Sequence, residues 1–323
     1  MAPTLLHLYG PLLIGACAVA MGVSIDVYVK YLALQAPLII VITLRFLFGG
    51  AISVAIFLVP KKSSKGTRER RALPSREACV FHIGRAFLQL ATAYLFFYGL
   101  TKLPLATATV FGFSAALMVP FIAWPLLKEK PTLLACVATL AGFSGTAVAA
   151  YGGAQAQAGP IGQDYIVGVV SCLVAAFIYA VILVMLRMRA GKEDAATMSL
   201  FTNIVPGVLL LPALFIGEGP SFLAEMVRSG LILHTVALSS IAYAVWFLMS
   251  IAYARAPAQQ LAPLEYTALI WSATAGYVVF GEQPVWQIWA GGAIVIAACL
   301  TVAAERHLSA RKNAQMPAST LPD

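Results

Sequence analysis

Charge is scarce in this chain. Only 11% of its 323 residues are Asp, Glu, Lys or Arg, against about a quarter in a soluble globule. With 61% of its residues hydrophobic, such a chain cannot cover a water-facing surface and reads as an integral membrane protein. Cysteine chemistry is lacking too. Cys17, Cys79, Cys136, Cys172 and Cys299 all lie within or at the edge of apolar runs, and none form a C-x-x-C pair, which argues against a disulfide framework or a metal site. No H-E-x-x-H, P-loop or Rossmann fingerprint occurs, so metalloprotease and ATP-driven readings lack support and no cofactor is expected. No Lys or Arg precedes Lys30. The basic n-region of a signal peptide is therefore missing, and the first apolar run reads as a retained helix despite the cleavage-like Ala18-Val19-Ala20.

What the chain has instead is apolar runs. Ten are long enough to cross a bilayer, near 8–30, 37–59, 79–100, 104–127, 131–151, 165–186, 195–216, 231–253, 257–280 and 285–305, each meeting the requirement of about 20 residues per spanning helix. The gaps are mostly short and leave no room for a soluble domain. The longest, Lys61 to Glu77, is strongly basic and reads as a solvated cytoplasmic loop. The tail over 306–323 is polar.

The net charge of +8 is no nucleic-acid footprint, because the bases sit in short loops on one side. One side collects Lys61, Lys62, Lys65, Arg68, Arg70, Arg71 and Arg76, then Lys128, Lys130, Arg187, Arg189, Lys192, Arg255, Arg306, Arg311 and Lys312. The other side holds only Lys30, Lys102 and Arg228. The basic side is expected to be cytoplasmic, with both termini inside, as in a bacterial inner-membrane protein.

One stretch occurs twice. Pro104 and Pro257, Glu129 and Glu282, and Pro131 and Pro284 are each 153 residues apart, with Lys102 and Arg255 preceding the opening prolines at the same offset. Ten spans split into two repeats of five, over 8–151 and 165–305. An odd number per repeat turns the second copy upside down, which places the Glu129 and Glu282 turns on opposite faces. The loss of basic neighbours at Gly281 and Gln283 agrees. The expected fold is thus all-α, ten transmembrane helices in two inverted five-helix repeats, an arrangement that places a solute site near the midplane. Each glutamate could cap the helix that follows it.

With these landmarks the chain resembles the drug/metabolite transporter superfamily, EamA type, over about 10 to 305. The resemblance is carried by Ser24-Ile25-Asp26 with Lys30, by Thr43-Leu44-Arg45-Phe46, and by Tyr98-Gly99-Leu100-Thr101-Lys102-Leu103-Pro104-Leu105-Ala106. It is carried also by the turn at Glu129, by Ala262-Pro263-Leu264-Glu265-Tyr266-Thr267 and by Phe280-Gly281-Glu282-Gln283-Pro284. It implies a secondary carrier of a small organic solute. The layout is similar both to S-adenosylmethionine or riboflavin uptake carriers and to amino-acid and metabolite exporters. Some relatives carry a basic residue where this chain has Glu265.

Ionisable groups inside a bilayer are costly and mark function by default. Glu265, with Tyr266 beside it, lies about 12 Å into the ninth helix at 1.5 Å per residue. It shares a face of small residues with Ala258, Ala262, Ala268, Ser272 and Gly276; solute binding and proton coupling are both roles open to it. On the third helix His82, Arg85, Gln89 and Thr92 form a polar stripe, with surface snorkelling of His82 and Arg85 as the plain alternative. Arg45 reads as a solute clamp or a structural pair. Asp26 reads as a gating group or as the i,i+4 partner of Lys30. The enzyme alternative is an intramembrane serine protease, with Ser144 in Gly142-Phe143-Ser144-Gly145 as nucleophile and His234 as base. Ten helices in an inverted repeat do not suit it, and the expectation is that the chain is not an enzyme.

Overall fold

The computed structural model describes residues 5–59, 61–62, 68–69, 75–128, 130–155, 162–188, 195–255, 261 and 264–315. Eleven helices of ten residues or more account for nearly all of them: α1 Leu5–Ala33, α2 Leu38–Leu58, α3 Arg76–Lys102, α4 Leu105–Leu127, α5 Leu133–Gln155, α6 Gln163–Met188, α7 Ala195–Leu210, α8 Gly219–Arg228, α9 Leu231–Arg255, α10 Ala268–Phe280 and α11 Trp286–Gln315. Nine are long and apolar enough to cross a membrane, and α10 is a shorter apolar helix. A pair of two-residue strands, β1 Lys61–Lys62 and β2 Arg68–Glu69, forms an antiparallel ladder in the basic loop. The fold is all-α, with apolar helices in two inverted five-helix repeats.

The boundaries follow local chemistry. Pro37 and Pro104 sit extended, with ψ near 131° and 145°, and hand α2 and α4 a preset φ at the first turn. Ser75 caps α3, its side chain accepting from Ala78 N at 3.2 Å, and Glu77 adds a carboxylate to the positive end. Gly281 ends α10 at φ 68°, a left-handed turn that glycine adopts at little cost.

Helix pairing respects the duplication. Numbering the spans in order, with α9, α10 and α11 as the eighth, ninth and tenth, α3 against α6 exchanges with α9 against α1. Likewise α4 against α6 exchanges with α10 against α1, and α2 against α9 with α7 against α3. The pairs α2–α7 and α5–α11 map onto themselves. Outward, large apolar side chains such as Leu13, Leu140, Leu233 and Val278 stand exposed, the dress of a lipid-facing surface.

Three sequence expectations need correction. The seventh span stops at Leu210, passes through a 3₁₀ turn at Leu211–Leu214, and is followed by α8, a short helix absent from the ten-run reading. Its Phe222, Leu223 and Met226 pack on the core while Arg228 pairs outward with Glu225 at 3.3 Å. The ninth span is not one continuous helix face, because Tyr266 and Thr267 form a turn before α10 begins. Finally, Glu282 does not cap the helix that follows it. Its Oε2 accepts from Leu105 N at 2.8 Å, at the start of α4. Glu129 and the opening residues 256–260 lie outside the described residues.

Candidate functional site

A cavity of about 320 Å³ lies among α2, α3, α6, α7 and α9, within the range of small-molecule sites. Arg45 and Gly49 come from α2, Arg85 and Gln89 from α3, Tyr179 and Ile182 from α6. Helix α7 contributes Met198, Ser199, Thr202 and Asn203, and α9 contributes Ser239, Tyr243 and Trp246. Both repeats therefore build it. Its lining on α3 and α7 falls early in those helices, and on α6 it falls late. On α2 and α9 it begins nearer the other end, at Arg45 and Ser239, so the cavity runs from mid-bundle toward the end where α2 and α6 finish and α3 and α7 begin, the basic-loop end.

Two guanidiniums, one buried and one half-buried, are uncommon inside an apolar bundle, and they are held differently. Arg85 is 4% exposed. Its Nη2 donates to Met198 O at 3.0 Å and to Thr202 Oγ1 at 2.7 Å, tying α3 to α7. Arg45 lies over the rings of Phe46 and Phe97, at 4.9 and 5.6 Å from their centroids. Asp26 is near enough for the Asp26 and Arg45 charges to act on each other. The local partner expected for Asp26 is committed elsewhere: Lys30 Nζ lies 2.6 Å from Glu282 Oε1 and donates to Leu103 O at 2.6 Å.

The remaining sequence candidates divide. Gln89 lines the cavity. Glu265 is exposed, and its charge acts on Tyr179, which does line it. His82 does not snorkel: it is 1% exposed, stacked on Phe201 at 5.3 Å and edge-on to Phe81 at 5.6 Å. Nor does Arg85, for the reason just given. Ser272 spends its hydroxyl on Leu269 O in its own helix at 3.1 Å. Tyr266 packs edge-on against Phe113 at 5.3 Å. The protease pair is not assembled, since Ser144 donates to Ala141 O at 2.7 Å on α5 while His234 sits beside Tyr28 and Tyr31.

From sequence Asn203 reads as a kink or hinge marker, with Pro120 and Pro206, and the polar side of α7 is not read as part of a site. Ser199 Oγ meets Ser53 Oγ at 3.1 Å, and Asn203 Nδ2 donates to Ser53 Oγ at 3.2 Å and to Ser199 O at 2.9 Å. The 3–4 spacing of Ser199, Thr202 and Asn203 was the available signal. A Cβ on Gly49 would come within 2.7 Å of Asn203 Oδ1. Gly49→Ala should therefore displace Asn203, break this bridge between α2 and α7, and cost about 1–2 kcal/mol. The drop in melting temperature of purified protein, and a matching loss of solute flux, check this.

At the other end of the bundle the two repeats are fastened. Lys30 from α1, the Leu103 carbonyl and Leu105 amide at the α3–α4 turn, and Glu282 after α10 form one cluster. The Lys30 and Glu282 side chains are only 11% and 16% exposed. Gly276 makes the cluster fit, because a Cβ there would collide with Glu282 Oε2. Lys102 and Asp164 pair nearby at 3.1 Å.

The EamA-like transporter family matches residues 8–151 and 166–304. This chain belongs to that family. Its EamA relatives include the S-adenosylmethionine uptake transporter of Rickettsia felis, 27% identical over 89% of this chain and 90% of the relative. The S-adenosylmethionine uptake transporter of Rickettsia prowazekii is 28% identical over 86% of each. A riboflavin transporter of Vibrio cholerae is 25% identical over 67% of this chain and 68% of its own length. A solved crystal structure superimposes with TM-score 0.53 at 15% identity, over 89% of this chain and 98% of that one, a likeness of fold. As an EamA protein the chain is a multi-pass membrane transporter of a small-molecule solute and not an enzyme.

Proposed function

We propose that this EamA protein is a secondary carrier that moves a ring-bearing organic metabolite across a bacterial inner membrane by alternating access. The observation that carries the reading is the cavity itself. It lies between the two repeats, carries polar and aromatic side chains on its wall and extends toward the basic-loop end, while the opposite end is bridged by Lys30, Glu282 and the α4 amide. A bundle closed at one end and hollow at the other is one of the two states such a carrier needs. Tyr179, Tyr243 and Trp246 on the cavity wall offer faces to a flat ring. The relatives named for S-adenosylmethionine and riboflavin are named for solutes with a fused heteroaromatic ring. The test is uptake of radiolabelled S-adenosylmethionine and of riboflavin into proteoliposomes holding the purified protein. Saturable uptake of either supports the reading. Its absence for both, in folded protein, refutes this substrate class.

The basic-loop end is cytoplasmic in this proposal, so the bundle is hollow toward the cytoplasm. Reporter fusions should therefore read outside after Gly217 and inside after Lys312. Reversed signals would invert the orientation and with it the facing of the cavity.

A further inference from the structure

We propose that Arg45 is the anion-recognition group of the cavity and that the transported solute carries a carboxylate. This rests on the transport reading above and narrows its substrate class.

Of the two cavity arginines, Arg85 has an evident structural task in joining α3 to α7. Arg45 does not. Its guanidinium makes no hydrogen bond among the described residues, and its buried Nε is without a partner. The rings of Phe46 and Phe97 lie against its cationic carbon and restrain it without using its N–H groups. That leaves the hydrogen-bonding edge of a cavity-lining cation uncommitted. In an apolar bundle every unmet donor is costly, and a planar fork matches a carboxylate through two parallel bonds. Asp26 acts on the Arg45 charge through space, and Arg85 adds a second positive charge to the same cavity. A solute carboxylate takes the Arg45 edge, so Asp26 and the solute compete for one guanidinium. If Arg45 served only as the structural partner of Asp26, any preference for an acid would come from Arg85 and would survive Arg45→Gln.

The experiment compares matched pairs on the purified, full-length protein, by thermal shift and by direct binding. The pairs are S-adenosylmethionine with its decarboxylated form, and aromatic amino acids with their amides; riboflavin serves as a ring without a carboxylate. In the wild type at least one acid should bind roughly ten- to a hundredfold tighter than its partner, the scale of a charge-assisted pair. Arg45→Gln should erase that preference, and Arg45→Lys should restore part of it. Asp26→Asn, which removes the internal competitor, should tighten the acid and leave its uncharged partner unchanged. Equal binding of every matched pair in the wild type overturns the proposal. So does a preference that survives in folded Arg45→Gln, or a response to riboflavin alone. Riboflavin flux with no acid preference would leave the carrier reading standing while the carboxylate inference fails. Acid-selective binding with no flux of any probe would do the reverse.

Discussion

Glu282→Gln should destabilise the folded protein by about 1.5–3 kcal/mol, the range of a hydrogen bond to a charged group. The amide oxygen can still accept from Leu105 N, so the cap on α4 survives and the loss falls on Lys30. That ammonium is 2.6 Å from the carboxylate it would lose, at a site where most of its surface is covered. The double replacement Lys30→Met with Glu282→Gln should recover much of the stability, because it removes the orphaned charge along with its partner. Melting curves of the wild type and both variants in the same detergent decide the matter. A Glu282→Gln protein as stable as the wild type would mean that the pair is solvated and contributes nothing. In transport, the single variant should also shift the resting state toward opening at that end, read as faster labelling of a cysteine placed beside residue 105.

The second large effect lies at the α5–α11 contact. A Cβ on Gly145 would come within 2.7 Å of Gly291 O and 2.8 Å of Ile294 Cβ, while one on Gly291 would strike Gly145 O and Ala149. Between these helices backbone faces backbone, and backbone cannot swing aside. Helix association in a bilayer depends on such close packing by small residues, since no hydrophobic force separates lipid tails from leucine. Gly145→Ala should already force the helices apart at a cost of about 1–3 kcal/mol, and Gly145→Val should exceed that range. Gly84 is the control, because nothing stands within 4 Å of its missing Cβ. Gly84→Ala should be neutral or stabilising by about 1 kcal/mol through helix propensity. Monodispersity after extraction and melting temperature provide the readout. A Gly145→Val protein that extracts and melts like the wild type would contradict the contact.

How far these features are legible in sequence depends on their range. The spans are plain because a bilayer demands about 20 apolar residues in a row, and the repeat because Pro104 and Glu282 keep registered partners. Arg45, Arg85 and Gln89 stand out because polar groups in such runs are rare, and all three line the cavity. The partner of Lys30 is not legible. Asp26, four residues away, is the local choice, whereas Glu282 is 252 residues distant and reaches it only once both repeats are folded together. The small α8 escapes because ten residues with Glu225 and Arg228 fall below any spanning window. The serine, threonine and asparagine of α7 escape because such residues are ordinary inside membrane helices, where most bond their own carbonyls. Thr202 does so at 2.7 Å yet also receives Arg85.

Glu282 divides its two oxygens between a side chain of one helix and the backbone of another. In the alternating-access cycle proposed above, separation of the repeats at this end would surrender both bonds at once, and few empty molecules should be found with that mouth agape. A solute arriving there meets only this competent minority, and its apparent dissociation constant is raised by the inverse of that fraction. Solute arriving from the hollow end meets nearly the whole population. Titrations from the two sides of an oriented vesicle should then disagree although the contacts made in the cavity are the same. The carrier would look asymmetric in affinity through occupancy statistics alone.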